Sequence, residues 1–260
     1  MRVLDVSGHG EEKSAPLPEV FKTPVRGDLI KRAVIALQST RIQPQGRDVM
    51  AGKRTSADSL GTGFHLARVP RVKGERYPKA RQAAFAPGTR GGRQAHPPKT
   101  EKKFVKRINK KERLLAIRSA LAATASKELV AARGHVIDDI QSFPIVVSDQ
   151  LQDIKTADEA WELFKKIGIS PDIVRVKNNF KVRAGKGTMR GRRIKHPVGP
   201  LIVIAEDNGV SKAVRNFPGV DVVKVDFLNA ELLAPGTHPG RLTVWSLSAL
   251  EKLDNLFKCE

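Results

Sequence analysis

The chain holds one cysteine, Cys259, one tyrosine and only 5% aromatic residues. A single thiol excludes an internal disulfide and any Cys-based zinc cluster, and it suits a reducing compartment. Acid is scarce as well. Its 27 Asp and Glu face 47 Lys and Arg for a formal net charge of +20, so the expected partner is a phosphate backbone or an anionic membrane. The membrane option lacks an amphipathic basic helix or a lipidation signal, and the longest apolar runs are strand-like pieces such as Leu201 to Ala205, far below the ~20 residues of a span. The opening MRVLDVSGHGEEKS carries no apolar stretch of the kind a signal peptide needs, so the expected location is cytoplasmic, with no membrane partner.

What is present is concentrated. From Arg41 to Lys111, nineteen Lys or Arg stand against four acids (Asp48, Asp58, Glu75, Glu101), with eight Gly and six Pro and no apolar stripe. Connections in compact domains are typically ~4–6 residues, so a stretch this long and this charged is disordered alone or ordered by a polyanion. Removing it leaves about 190 residues, enough for one core. The expected division is a discontinuous body, residues 1–40 and 111–260, and an extended loop, 41–110.

The body reads as alternating strand and helix. Met1 to Val6 suits a short strand, and a helix from near Pro24 carries Leu29, Ile30, Ala33, Val34 and Leu37 at helical spacing. A second helix is expected from Asn109, capped with Glu112, along Leu114, Ile117, Leu121, Ala125 and Leu129 to a stop at Gly134. Pro144 to Val147 reads as a buried strand. Thr156 and Glu159 form a capping box before a face of Ala160, Leu163, Phe164 and Ile167, ended by Gly168. Leu201–Ala205 and Val220–Val225 read as buried strands around a short helix from about Val210 to Asn216. The last pair is Leu242 to Trp245 and a helix from about Leu247 to Phe257, with Ser248 and Glu251 in its first turn. The pattern predicts an α/β fold: a mostly parallel sheet covered by helices, with a long extended basic loop inserted after the first helix.

Two segments carry the chemistry. Lys177 to Lys195 (KNNFKVRAGKGTMRGRRIK) has eight Lys or Arg and no acid. Its interleaved glycines allow close backbone approach to phosphates, while Arg183, Lys186, Arg190, Arg192, Arg193 and Lys195 supply the charge. A solvated flexible loop is the alternative for any one such run, but the chain has two. Ala86 to Lys99 (APGTRGGRQAHPPK) repeats the mixture with Arg90 and Arg93. Aromatics are sparse in the loop, so backbone contact outweighs base stacking, although Tyr77 is a candidate stacker.

No catalytic site assembles. GRDVMAGKRT (46–55) has its glycines one residue too far apart for a phosphate-binding loop, and Arg54 stands where a magnesium-binding hydroxyl would be; AGKGT (184–188) has Phe180 in place of the upstream glycine. The six histidines show no metal-site spacing. Glu206-Asp207, after the Leu201 strand, is the best carboxylate pair, with a plain turn before a helix as its structural alternative. No cofactor and no metal are expected.

Four collinear segments, APGTRGGRQAHPPKTEKK (86–103), KKERLLAIRSALAAT (110–124), RAGKGTMRGRR (183–193) and GPLIVIAEDNGVSKAVRNFPGVDVVKVDFLNAELLAPG (199–236), resemble the universal large-subunit ribosomal protein four family in its archaeal and eukaryotic form. The resemblance implies a structural, non-enzymatic constituent of the large subunit that binds ribosomal RNA and aids assembly, beside neighbouring large-subunit proteins. It implies a loop that reaches the exit tunnel and the nascent polypeptide. The loop tip is then expected around Val69 to Arg81, with Arg71, Lys73, Arg76 and Tyr77 nearest the tunnel. Arg90, Arg93 and Lys99 on one limb, Arg47, Lys53 and Arg54 on the other, and Lys102 and Lys103 beyond, are expected to clamp RNA.

Two other functions compete. An RNA-modifying enzyme would need a glycine-rich turn after the first strand, where Ser7-Gly8-His9-Gly10 offers only a fragment followed by Glu11-Glu12, and a free translational regulator would maintain a soluble pool. The loop's composition generates a direct prediction: limited proteolysis of the isolated protein cuts first between Arg41 and Lys111 and spares the body. Equal resistance along the chain would refute it.

Overall fold

The computed structural model describes residues 2–5, 10–14 and 16–257; Met1 and Val6 of the first expected strand, the Ser7 to His9 fragment and Cys259 lie outside them. Two compact units are present, Met1–Gln38 with Lys106–Glu260, and Ser39–Val105. Along the chain run β1 (Arg2–Leu4), β2 (Gly10–Ser14), α1 (Gly27–Ser39), β3 (Ala57–Asp58) and β4 (Arg71–Val72). There follow α2 (Lys110–Ala125), α3 (Lys127–Ala132), β5 (Ile145–Val147), α4 (Ala157–Ile167) and α5 (Ser170–Asn178). The chain continues through β6 (Lys181–Val182), β7 (Ile194–Lys195), β8 (Leu201–Ile204), α6 (Val210–Val214) and β9 (Asp221–Lys224). It closes with α7 (Ala230–Leu233), β10 (Thr243–Ser246) and α8 (Leu247–Leu256).

The first unit is an α/β fold. Its six-stranded sheet has the order β2-β1-β5-β10-β8-β9, parallel throughout except for β2. Side chains alternate across a strand, and both faces are covered. Leu201 and Val203 of β8 therefore join Val3, Val146 and Trp245 in one core with α1, α2, α7 and α8, while Ile202 and Ile204 join Ile145, Val147 and Val244 in the other with α4, α5 and α6. All four residues of β8 are buried, and each such side chain contributes roughly 1.5–3 kcal/mol. Trp245, without exposed surface, meets Phe21 edge-on at 5.8 Å and donates its indole N–H to Thr243.

Local signals decide several boundaries. Thr156 accepts from the Glu159 amide and caps α4, worth about 1 kcal/mol. Gly168 ends that helix at φ 84°, where a Cβ would stand 2.7 Å from the Asp139 carbonyl oxygen, so glycine is required. Other expectations need correction. The helix expected from Asn109 to Gly134 is broken at Ser126, whose extended φ/ψ caps α3. Asn109 makes no side-chain cap, and Glu112 pairs instead with Arg32 of α1 at 2.7 Å. The Val220–Val225 strand is the half-exposed edge strand β9, not a buried one. Ser246 caps α8, and Ser248 stands in its first turn as expected, where its hydroxyl donates to Asp149 at 2.6 Å. The glycine fragment after β1 leads into the antiparallel β2, where a dinucleotide-binding turn would open a helix.

The second unit holds the two-residue ladder β3–β4, with Arg71 also bridging to Ala83, and otherwise turns. Its two limbs run together near their ends. The Arg47 amide donates to the Pro98 carbonyl at 3.1 Å, and Gly52, at φ 78°, lies so close to Gly92 and Arg93 that a Cβ would stand 2.5 Å from their backbone.

One buried polar cluster joins α3 to α5. Asp172 accepts from the His135 Nδ1 (3.0 Å), the Val136 amide (3.0 Å) and the Arg175 Nε (2.8 Å). Burial disfavours charged His135 by more than Asp172 favours it, so the imidazole titrates below its ordinary value. Burial would raise Asp172, but the bonds from His135, Arg175 and Val136 outweigh it and its pKa is lowered. Below pH ~6.5 the unfolded chain thus binds a proton at His135 that the folded chain refuses, and stability falls with falling pH. The Asp172 contribution follows only below the ordinary carboxylate range, at about pH 4. The thermal midpoint is expected to drop between pH 7 and pH 5, and a His135→Gln variant to show a flatter profile there. A midpoint that rises toward pH 5 would contradict a neutral buried His135.

Candidate nucleic-acid interface

The second basic segment is an ordered hairpin. β6 and β7 pair antiparallel, Lys181 opposite Lys195 and Val182 opposite Ile194, and the Arg183 amide donates to the Arg193 carbonyl at 2.7 Å. Phe180 and His196 meet edge-on at 5.5 Å at its base. The turn is folded by its glycines: Arg190 and Arg192 both donate backbone N–H to the Gly187 carbonyl, and Gly185 and Gly191 hold φ 78° and 75°. Adjacent pairs face opposite sides of a ladder, so one face carries two lysines and the other two exposed apolar side chains.

That arrangement is poor for an isolated hairpin. Like charges directly opposite destabilise a ladder, and a two-stranded hairpin is marginal in water even without them. Arg183, Lys186, Arg190, Arg192, Arg193 and Lys195 sit on this hairpin, and among the described residues none of them forms an ion pair. Met189 at the turn is 82% exposed. With Lys181 the hairpin therefore gathers seven cations and an uncovered apolar edge with no internal counter-charge.

In the Ser39–Val105 unit the expected residues differ in how free they are. Arg47 donates to Gln94 at 3.1 Å, Arg54 pairs with Asp48 at 2.5 Å, and Arg93 lies over the Phe85 ring at 5.7 Å. Lys102 covers Phe104 at 5.6 Å. Lys53, Arg90, Lys99 and Lys103 are exposed. At the expected tip, Lys73 pairs with Asp58 at 3.3 Å, Arg71 is half-buried and donates to the Arg81 carbonyl, and the Tyr77 hydroxyl donates to the Lys73 carbonyl. Arg76, exposed at φ 66°, forms no ion pair among the described residues.

The C-terminal edge of the sheet is closed by polar bonding. The Ser211 hydroxyl, and then the Ser211 and Gly209 amides that donate to Asp207, hold its pKa low against burial, and the Glu206 amide donates to Gln152 at 2.8 Å. Glu206-Asp207 is thus a helix-starting turn. Among the described residues no group of His, Cys, Asp or Glu is placed to hold a metal, and no helix is long and apolar enough to cross a membrane.

Sequence reasoning missed three arginines drawn into the fold, the buried Arg241 and the half-buried Arg133 and Arg175. Arg241 stands two residues before the fully buried strand β10, an unusual place for a cation and a signal in itself. Its guanidinium donates to the Gly199 carbonyl (2.9 Å), the Leu232 carbonyl (3.0 Å) and Asp221 (2.5 Å).

A family model described as "Ribosomal protein L4/L1 family" matches residues 15–256. The chain is 54% identical over 242 residues to the large ribosomal subunit protein uL4 of Methanosphaera stadtmanae, covering 93% of this chain and 92% of that one. It is 52% identical over 246 residues to the protein of the same name from Methanopyrus kandleri (94% and 95% covered), and 52% over 259 residues to that from Pyrobaculum aerophilum (99% and 90%). The exposure of the hairpin cations generates a prediction for the chain itself. Replacing Arg190, Arg192 and Arg193 by Glu should leave the stability of the isolated protein within about 0.5 kcal/mol per site, measured by denaturant unfolding. A large loss would show that these arginines hold the fold.

Proposed function

The chain belongs to the ribosomal protein L4/L1 family, and from that membership we propose that it is a structural constituent of the large ribosomal subunit, cytoplasmic and non-catalytic, that grips ribosomal RNA with its hairpin and its Ser39–Val105 unit. The observation that carries the reading is the Lys181–Lys195 pair with the unpaired arginines around it. Such a cluster is unfavourable until phosphates neutralise it, and counterion release then drives binding. Glycine turns bring backbone N–H groups to the same surface, adding donors that fit phosphate oxygens.

In the Ser39–Val105 unit, Arg47, Lys53, Arg54, Arg90, Arg93, Lys99, Lys102 and Lys103 are the proposed RNA contacts. Lys53, Arg90, Lys99 and Lys103 suit the role most directly because they are exposed and form no ion pair among the described residues. The segment around Arg71, Lys73, Arg76 and Tyr77 is proposed to line the exit tunnel beside the nascent polypeptide. Arg76 is its best-placed cation, since Lys73 and Arg71 already have partners within the segment. Neighbouring large-subunit proteins are the remaining partners. A dinucleotide-dependent enzyme is disfavoured by the strand β2 that follows β1.

The test is the salt dependence of RNA binding by the full chain. Each phosphate that the triple Glu variant no longer neutralises should reduce the logarithmic salt slope by roughly 0.7–0.9. The variant should also fall behind the wild type in co-sedimentation with the large subunit at raised salt. An unchanged slope and unchanged sedimentation would mean that the hairpin faces solvent.

A further inference from the structure

The hairpin rejoins the sheet through Pro197 and Val198, and beside that junction lies a cavity of about 500 Å³ whose wall includes Arg133, His135, Arg175 and His238. Two guanidiniums and two imidazoles thus line one space. The carboxylate nearest to them is fully used: Asp172 takes the His135 Nδ1 and Arg175 on one oxygen, and the Val136 amide and Arg175 on the other. Arg133 has no carboxylate partner among the described residues. It donates to two backbone carbonyls, of His238 and of Pro235 (2.7 Å), which leaves other N–H groups of its five-donor fork without a protein acceptor. Burial, and then repulsion by Arg241 and Arg175, lower its pKa to about 10. Positive charge is therefore in excess here.

A guanidinium held by two carbonyls is fixed in orientation, and a second one lines the same cavity: Arg175 gives its Nε and Nη2 to Asp172 and to the Val198 carbonyl (3.0 Å), which leaves its Nη1 without a protein acceptor among the described residues. Two half-buried guanidiniums with donors to spare suit an oxyanion. We propose that this cavity is a binding site for an oxyanion of the phosphate class, held by Arg133 and Arg175 between His135 and His238. Which phosphate fills it rests on the RNA-binding reading above: a backbone phosphodiester of the strand gripped by the adjacent hairpin, or free inorganic phosphate. The chemistry of the cavity does not depend on that choice.

The test uses the full chain labelled with 15N-arginine, following side-chain Nε–Hε resonances, with Arg133→Lys and Arg175→Lys variants for assignment. Titration with inorganic phosphate should shift Arg133 and Arg175 together along one saturating curve, while sodium chloride at matched ionic strength should not. In Arg133→Gln the Arg175 response should weaken roughly tenfold or more, as expected for loss of a charge-assisted pair; if that variant does not fold, the wild-type titration decides alone. A short single-stranded RNA that shifts the same two resonances identifies the phosphodiester as the occupant. Response to inorganic phosphate alone identifies a free-anion site. Small, non-saturating shifts spread over all arginines, equal for phosphate and chloride, would overturn the proposal. Because inorganic phosphate is the primary probe, failure of RNA to bind anywhere would refute the proposed function without touching this result.

Discussion

The placement of the cationic hairpin depends on one buried guanidinium. Arg241 stands at the N-terminal edge of the parallel sheet, with 1% of its surface exposed, and ties together the starts of three neighbouring strands. It reaches Gly199 before β8, Asp221 at the head of β9 and, through its own backbone, β10, with Leu232 of α7 as a fourth anchor. Burying a guanidinium costs several kcal/mol unless its donors are satisfied, and here the Gly199 and Leu232 carbonyls and the Asp221 carboxylate satisfy them. Burial lowers its pKa even so, against the pull of Asp221. Since Gly199 lies three residues beyond His196, where the hairpin closes, the same bonds fix the root of the hairpin.

The two edges of the sheet differ in chemistry for a related reason. At the C-terminal edge the carboxylates and hydroxyls bond one another: Asp149 with Ser248, Gln152 with Ser246, Asn208 with Asp153. Little is left there to recognise a partner. At the N-terminal edge the excess is of cations, and the acids Asp172 and Asp221 serve to hold arginines in place. A ligand-binding α/β fold typically works from the C-terminal edge; in this chain the unsatisfied chemistry lies on the other.

The parts of this fold legible in the sequence are those specified within a few residues. Thr156, Glu159 and Gly168 frame α4 as expected, and Leu201–Ile204 is apolar at every position because both faces of β8 are covered. The failures lie where distant residues decide. β2 (GEEKS) carries no strand pattern and exists because β1 offers an open edge. The break at Ser126 interrupts an apolar stripe that, by period alone, would continue to Leu129. The hairpin strands are two residues long, too short for any alternation to show. For the candidate interface, charge and glycine content singled out a segment, but not its facing lysines, its glycine-folded turn, or the arginines set behind it.

The order of strands in the sheet also bears on biosynthesis. β10, which follows every other strand along the chain, occupies the middle of the sheet between β5 and β8. Until Thr243–Ser246 leaves the synthesising ribosome, β1–β5 and β8–β9 are two separate halves with apolar edges open, and a core that closes through such distant pairing forms slowly. Arg241 arrives with the same strand. A polypeptide interrupted before that point would carry its cationic hairpin without the guanidinium that anchors it, so only a chain translated past Arg241 can present that hairpin on a finished foundation.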